Sequence, residues 1–160
     1  MIRVEDQTVF IIDFGLARLF CNPATYLHIL YSTNHSVIGT VPFMSINGQQ
    51  GHAQSRHDDL ESLAYAIIFS VCGSLPWTSR SSKVTLKKKL SITAEELCEG
   101  LPTLFCQFIS HVCSLGFDEK PDYQYLHSIL SQCSKSQTET EQSDSSSCSA
   151  VSLDSVRNQM

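Results

Sequence analysis

The longest apolar block of the chain runs from Leu60 to Cys72, opened by Asp58-Asp59 and broken by a charge only at Glu61. Two carboxylates at its start suit the positive end of a helix dipole, and Ser55 and Asp58 are both candidate N-caps. Gly73 and Pro76 are stop signals, so one helix is expected from about Asp58 to Cys72. It has no polar face after its first turn, and a helix apolar all round must be surrounded by protein or lipid. It falls short of the about 20 apolar residues needed to span a bilayer. The expectation is a central core helix on which other elements pack from several sides.

Upstream, Thr8-Val9-Phe10-Ile11-Ile12 is β-branched and aromatic without alternation, the pattern of a short strand buried on both faces. Asp13-Phe14-Gly15 ends it, and Leu16–Phe20 suggests one helical turn. From Cys21 to about Gln54 the chain is rich in Asn, Ser, Thr, Gly and His and has little periodicity. Loops longer than about 12–15 residues are usually functional or disordered. Downstream, Lys83–Leu90 reads as a basic helix. Thr93-Ala94-Glu95-Glu96 has the form of a capping box opening a short helix that stops at Gly100. Leu104, Phe105, Phe108, Ile109 and Val112 form one helical face between Pro102 and Cys113, Asp118–Asp122 is a turn, and Tyr123–Cys133 is the last helix. Ser134–Met160 is Ser-rich, acidic and poor in large apolar groups, so it cannot offset its ordering entropy and is expected to be a disordered tail.

At 160 residues and a formal net charge of -5, the composition is that of one ordinary domain, with neither nucleic acid nor membrane as the expected partner. The basic cluster Lys87-Lys88-Lys89, with Lys83 nearby, is expected to be solvated. Seven cysteines, an odd number with no C-x-x-C pair, read as reduced thiols of a cytoplasmic or nuclear protein. The six histidines form no H-E-x-x-H, which argues against a zinc site. Met1–Asp6 leads straight into the strand with no signal peptide.

Asp13-Phe14-Gly15 carries chemistry through its placement: it follows an apolar strand, and a long irregular segment then closes with Gly39-Thr40-Val41-Pro42-Phe43-Met44-Ser45-Ile46-Asn47 ahead of the core helix. That is the order of parts in a protein kinase. Ile11–Arg18, Gly39-Thr40 to Ser45-Ile46-Asn47, Gln54–Leu63, Gly73-Ser74-Leu75-Pro76-Trp77 and Phe117–Tyr123 resemble the casein kinase I family of Ser/Thr protein kinases, from about Asp6 to about Cys133. Ser45-Ile46-Asn47 stands where most kinases have Ala-Pro-Glu. The resemblance implies a mainly α, partial protein kinase-like fold: a C-terminal helical lobe with the Asp-Phe-Gly strand and activation segment, and no N-terminal lobe. Residues 1–133 would form this partial domain and 134–160 the tail.

The resemblance also assigns roles. Asp13 would be the Mg²⁺ ligand of a bound ATP, with Gly15 permitting the turn after it. Gly39 and Thr40 would belong to the activation segment and substrate loop, and Asp59 and Trp77 to the structural core of the lobe. Lys88 would align with an anion-binding lysine. Two departures weaken acidic-substrate recognition: Val41-Pro42 follows Gly39-Thr40 where the family has Ala-Arg, and Gly116 replaces an Arg before Phe117-Asp118. Arg56-His57-Asp58 has the look of a catalytic-loop triplet but lies on the wrong side of Asp13. A kinase also needs a Gly-rich loop, a strand Lys and a catalytic-loop Asp and Asn ahead of the Asp-Phe-Gly. None is present in residues 1–12. The implied reaction is ATP-dependent phosphorylation of Ser/Thr on protein substrates, and the chain alone is expected to be inactive. The alternative is a non-catalytic, kinase-derived interaction module, a pseudokinase remnant. In either case strand Thr8–Ile12 and the core helix are expected to expose apolar surface where a protein partner could dock.

Overall fold

The computed structural model describes residues 8–77 and 81–144, with side chains as far as Cys133. Phe105, Phe108, Ile109 and Val112 recur at helical spacing, and the chain coils there into α5 (Thr103–Ser114) with all four buried along one face. Phe108 is fully enclosed, at 0% exposure, and stacks on Phe105 with ring centroids 5.6 Å apart. Against this face pack α2 (Arg56–Cys72), through Ala64, Tyr65 and Ile68, and α6 (Tyr123–Asp144), through Leu126 and Ile129. Leu75 and Trp77, from the segment after α2, and Leu97 and Cys98, at the end of α4 (Ala94–Leu97), complete the core. The mainly α architecture expected from the sequence is present.

The helix boundaries follow from local chemistry. Ser55 is the N-cap of α2, its N–H donating to the Asp58 carboxylate at 2.8 Å. At the other end Gly73, with φ 71°, lets its N–H reach the Phe69 carbonyl at 2.9 Å in the left-handed conformation that favours glycine. Thr93 and Glu96 form the expected capping box at α4. The Ser55 hydroxyl donates to the Phe117 carbonyl, and Arg56 Nη2 donates to the Asp118 carbonyl at 2.9 Å. Together they fasten the start of α2 to the α5–α6 connection.

Four expectations are corrected. The core helix α2 is not buried on several sides: Leu63, Phe69 and Val71 are 45%, 45% and 55% exposed. Among the described elements α5 and α1 (Ile46–Gln50) pack most closely on it, with Lys89 reaching the Tyr65 ring on the same side. The Asp-Phe-Gly strand is absent as well. Residues Thr8–Ile12 carry only an isolated bridge at Val9, and Val9, Ile11 and Ile12 are 71%, 82% and 56% exposed. A strand is stable as part of a sheet with a buried face, and no sheet forms among the described residues. The helical turn after it lies at Phe14–Leu16, as a 3-10 turn, rather than at Leu16–Phe20. Finally, α6 passes Cys133 and continues to Asp144. Extending a helix already begun costs far less than nucleating one, and the Gln, Lys and Glu residues there are good helix formers. Residues 145–160 of the expected tail lie outside the described residues.

The long segment before α2 is more organised than its composition suggests. Cys21 and His28 form an antiparallel bridge, closed by Asn22 N–H to Leu27 O at 2.9 Å and Ile29 N–H to Phe20 O at 2.9 Å. Farther on, His35 N–H donates to Gly51 O and Ala53 N–H to Ser32 O, each at 2.8 Å, which seats the segment against the end of α1.

Phe108→Ala should lower stability by about 3–5 kcal/mol, read as a fall in the urea midpoint of the helical circular-dichroism signal. Gly51→Ala should cost more than Gly100→Ala. Both glycines have positive φ, 72° and 79°, but an added Cβ at Gly51 would lie 2.7 Å from the His35 carbonyl oxygen, whereas nothing stands within 4 Å at Gly100. Gly100→Ala should therefore cost only the left-handed penalty of about 1–2 kcal/mol, and paired thermal melts measure the difference.

Candidate functional site

The segment Gly39–Asn47 has little regular structure, yet several side chains from elsewhere in the chain hold it. It folds on itself first: Phe43 and Met44 donate their N–H groups to the Thr40 carbonyl at 2.9 and 3.2 Å. Gly39 takes φ 134°, and a Cβ there would meet the Met44 side chain at 3.1 Å. Ser45, fully buried, caps α1 by accepting the Gly48 N–H at 3.0 Å.

Four side chains then grip the segment from outside. Trp77 Nε1 donates to the Pro42 carbonyl at 3.0 Å. Glu61 of α2 accepts the Ile46 N–H at 3.0 Å and the Tyr65 hydroxyl at 2.6 Å. Asn47 Nδ2 lies 2.9 Å from His57 Nε2, and the other His57 nitrogen is 3.1 Å from the Ser55 hydroxyl. From α3 (Ser82–Ser91), Lys89 Nζ donates to the carbonyls of Val41 at 3.2 Å and Met44 at 2.5 Å. The same ammonium lies 4.7 Å from the Tyr65 ring centroid and 5.1 Å from that of Trp77, rings that meet edge to face.

Burial governs the charges here. Desolvation pushes the Glu61 carboxyl above its ordinary range, opposed by the hydrogen bonds from Tyr65 and Ile46 and by Lys89. Desolvation likewise lowers Lys89 to about 8, with Glu61 pulling it back up. Burial and Glu61 together raise the Tyr65 phenol well above its normal value.

The residues singled out in the sequence divide between two places. Gly39, Thr40 and Trp77 belong to this site. Asp13 does not: it is exposed, in the left-handed conformation at φ 64°, and its carboxylate accepts the Gly15 N–H at 3.3 Å. Gly15 suits that turn, since a Cβ there would sit 3.2 Å from Asp13 Oδ1. Asp59 is exposed, its carboxyl raised by desolvation and by Asp58; Asp58, beside it, is the buried carboxylate that caps α2. Lys88 is solvated, as expected for the basic cluster, but Lys89 is not, at 3% exposure. That correction has a geometric cause: Thr85 and Lys89, four residues apart, form the buried face of α3. No hydrophobic period marks that face, so Lys89 could not be picked out from its neighbours in the sequence. Among the described residues no group of three or more His, Cys, Asp or Glu side chains could hold a metal. Asp13 offers a Mg²⁺ ion one carboxylate.

Glu61→Ala should cost about 1–3 kcal/mol by leaving the Ile46 N–H and Tyr65 hydroxyl without an acceptor, whereas Glu61→Gln should retain most of the stability. A carboxyl whose folded-state pKa is raised loses its contribution as pH rises through that pKa. Glu61→Gln should therefore gain stability relative to wild type as pH climbs above about 4.3, the ordinary glutamate value, a trend that melts at successive pH values will register.

No family model matches the chain. Comparison with curated proteins finds casein kinase I homolog 2 of Schizosaccharomyces pombe, 41% identical over 130 residues. The match takes in 76% of this chain and spans about 30% of the length of that relative. The described helices suit a mainly α C-terminal kinase lobe, and identity at this level along most of the chain supports a relationship with the casein kinase I family over that C-terminal part.

Proposed function

We propose that the chain carries the substrate-docking half of a Ser/Thr protein kinase domain, a part of the machinery for ATP-dependent phosphorylation of protein Ser and Thr. The observation that supports this reading is the loop Gly39–Asn47, whose backbone carbonyls and amides are fixed by Trp77, Lys89, Glu61 and Asn47–His57. A loop held this firmly by its backbone can present a constant surface to a peptide. Asp13 is proposed as one Mg²⁺ ligand, to be completed by phosphate oxygens and water, because Mg²⁺ is usually held by one or two carboxylates together with substrate phosphates. Binding, orienting and deprotonating the hydroxyl that attacks ATP call for groups outside residues 13–144. The 160-residue polypeptide by itself is proposed to be inactive, since residues that act as a unit in catalysis lose nearly everything when the unit is broken.

A second reading, a non-catalytic interaction module, is favoured by one specific observation. Val9, Ile11, Ile12, Leu63, Phe69 and Val71 are all exposed by 45% or more, the kind of apolar surface that marks an interaction site. Acidic-substrate recognition is the weakest part of the kinase reading: Pro42 and Gly116 bring no cation, the Pro42 carbonyl accepting from Trp77 and the Gly116 N–H and carbonyl pairing with Glu119 at 2.9 and 3.2 Å. Lys88 is proposed only as a solvated cation available to an anion. A reducing compartment, cytoplasm or nucleus, is proposed from the cysteines, of which the described ones are all free thiols.

The test is to incubate the 160-residue polypeptide with Mg²⁺ and γ-labelled ATP in the presence of an acidic Ser-containing protein. Transfer should stay at the level of the blank, for wild type and Asp13→Asn alike. Transfer by wild type that Asp13→Asn abolishes would show that this polypeptide is active on its own.

A further inference from the structure

Lys89 belongs to a helix whose other lysines are solvated, and its burial is costly unless the charge is met. It is met unusually well. Two main-chain carbonyls, Val41 O and Met44 O, accept from it on one side, and the rings of Tyr65 and Trp77 present their faces on the other. Both carbonyls lie in the docking loop, three residues apart, and between them the Pro42 carbonyl is held by Trp77 itself at 3.0 Å. Three carbonyls from Val41 to Met44 are thus directed inward at Lys89 and Trp77, while the amides of Phe43 and Met44 close on Thr40. Nothing within Val41–Ser45 is charged, so the turn has no ionic reason of its own to adopt this path.

We propose that Lys89 is the positioning residue of the docking loop: its ammonium, backed by Tyr65 and Trp77, gathers the Val41 and Met44 carbonyls and so sets the backbone that a substrate peptide meets. The functional meaning rests on the kinase reading given above, but the geometry does not, and its test needs no phosphoryl transfer. Two carbonyl acceptors and two ring faces favour the ammonium, while desolvation opposes it and brings Lys89 to about 8. The titratable groups packed around it are Glu61 and Tyr65 of α2, with Cys113 of α5 behind them. The loop and α1 contribute none. Tyr65 and Cys113 are both raised above their ordinary values, so near pH 8 the group that changes charge beside Trp77 is Lys89.

Trp77 is the chain's single tryptophan, which makes its fluorescence a probe of this one site. The experiment compares the full 160-residue chain with Lys89→Met, which keeps the length of the stem, by amide hydrogen exchange and Trp77 emission from pH 6 to pH 9.5. In Lys89→Met the protection factors of Phe43 and Met44 should fall about tenfold or more, as expected for losing a hydrogen bond to a charged group. Those of Ile109 and Val112 in α5 should hold. Wild-type emission should titrate with a midpoint near pH 8, and Lys89→Met should be flat across that range. Unchanged protection at Phe43 and Met44, or equal loss in the loop and in α5, would overturn the proposal by making Lys89 irrelevant to the loop or merely part of global stability. If Lys89→Met does not fold, the wild-type titration decides. Emission and loop protection changing together near pH 8 support the positioning role, and a flat profile overturns it.

Discussion

A carboxylate and an ammonium lie enclosed between helices and an irregular loop, and most of what distinguishes this lobe depends on how they are met. Glu61 collects the Ile46 N–H and the Tyr65 hydroxyl; Lys89 collects the Val41 and Met44 carbonyls. A buried charge without partners would cost several kcal/mol, so loop, α2 and α3 must assemble together. The loop gains a defined path from the helices, and the helices gain from the loop the polar partners that make their own buried groups tolerable.

Hydrophobic burial is divided unevenly around this polar seam. On one side α5 lays Phe105, Phe108, Ile109 and Val112 against α2 and α6 and forms a closed core. On the other, α2 turns Leu63, Phe69 and Val71 outward, and the segment Val9–Ile12 remains exposed. One face of the lobe is finished and the other is apolar and open. That asymmetry suits part of a larger domain as well as it suits a module that captures another protein, and it accords with a family relationship covering about 30% of a relative's length.

The family motifs are legible because they are written in residue types with narrow physical uses. Gly39 takes φ 134° and Gly73 takes φ 71°, and Trp77 carries a ring N–H that finds a carbonyl. Asp13 and Asp59 are equally legible as motif residues, yet both are exposed. A motif names a residue's part in a machine; whether the partners stand beside it is a separate fact. Lys89 shows the converse, a residue hidden in a run of lysines that proves to be enclosed.

From the sequence alone came the helices α2, α4 and α5, the caps at Gly73 and Thr93, a choice of Ser55 or Asp58 for the start of α2, and the kinship with casein kinase I, because periodicity, capping chemistry and motif order are properties of neighbouring residues. Tertiary structure alone decided the rest. It made α2 one-sided, left Thr8–Ile12 without a sheet among the described residues, and chose Lys89 over Lys88 as the buried cation. Each of these turns on which surfaces lie opposite one another in space, and residues as far apart in the chain as Val41 and Lys89 meet only when helices pack.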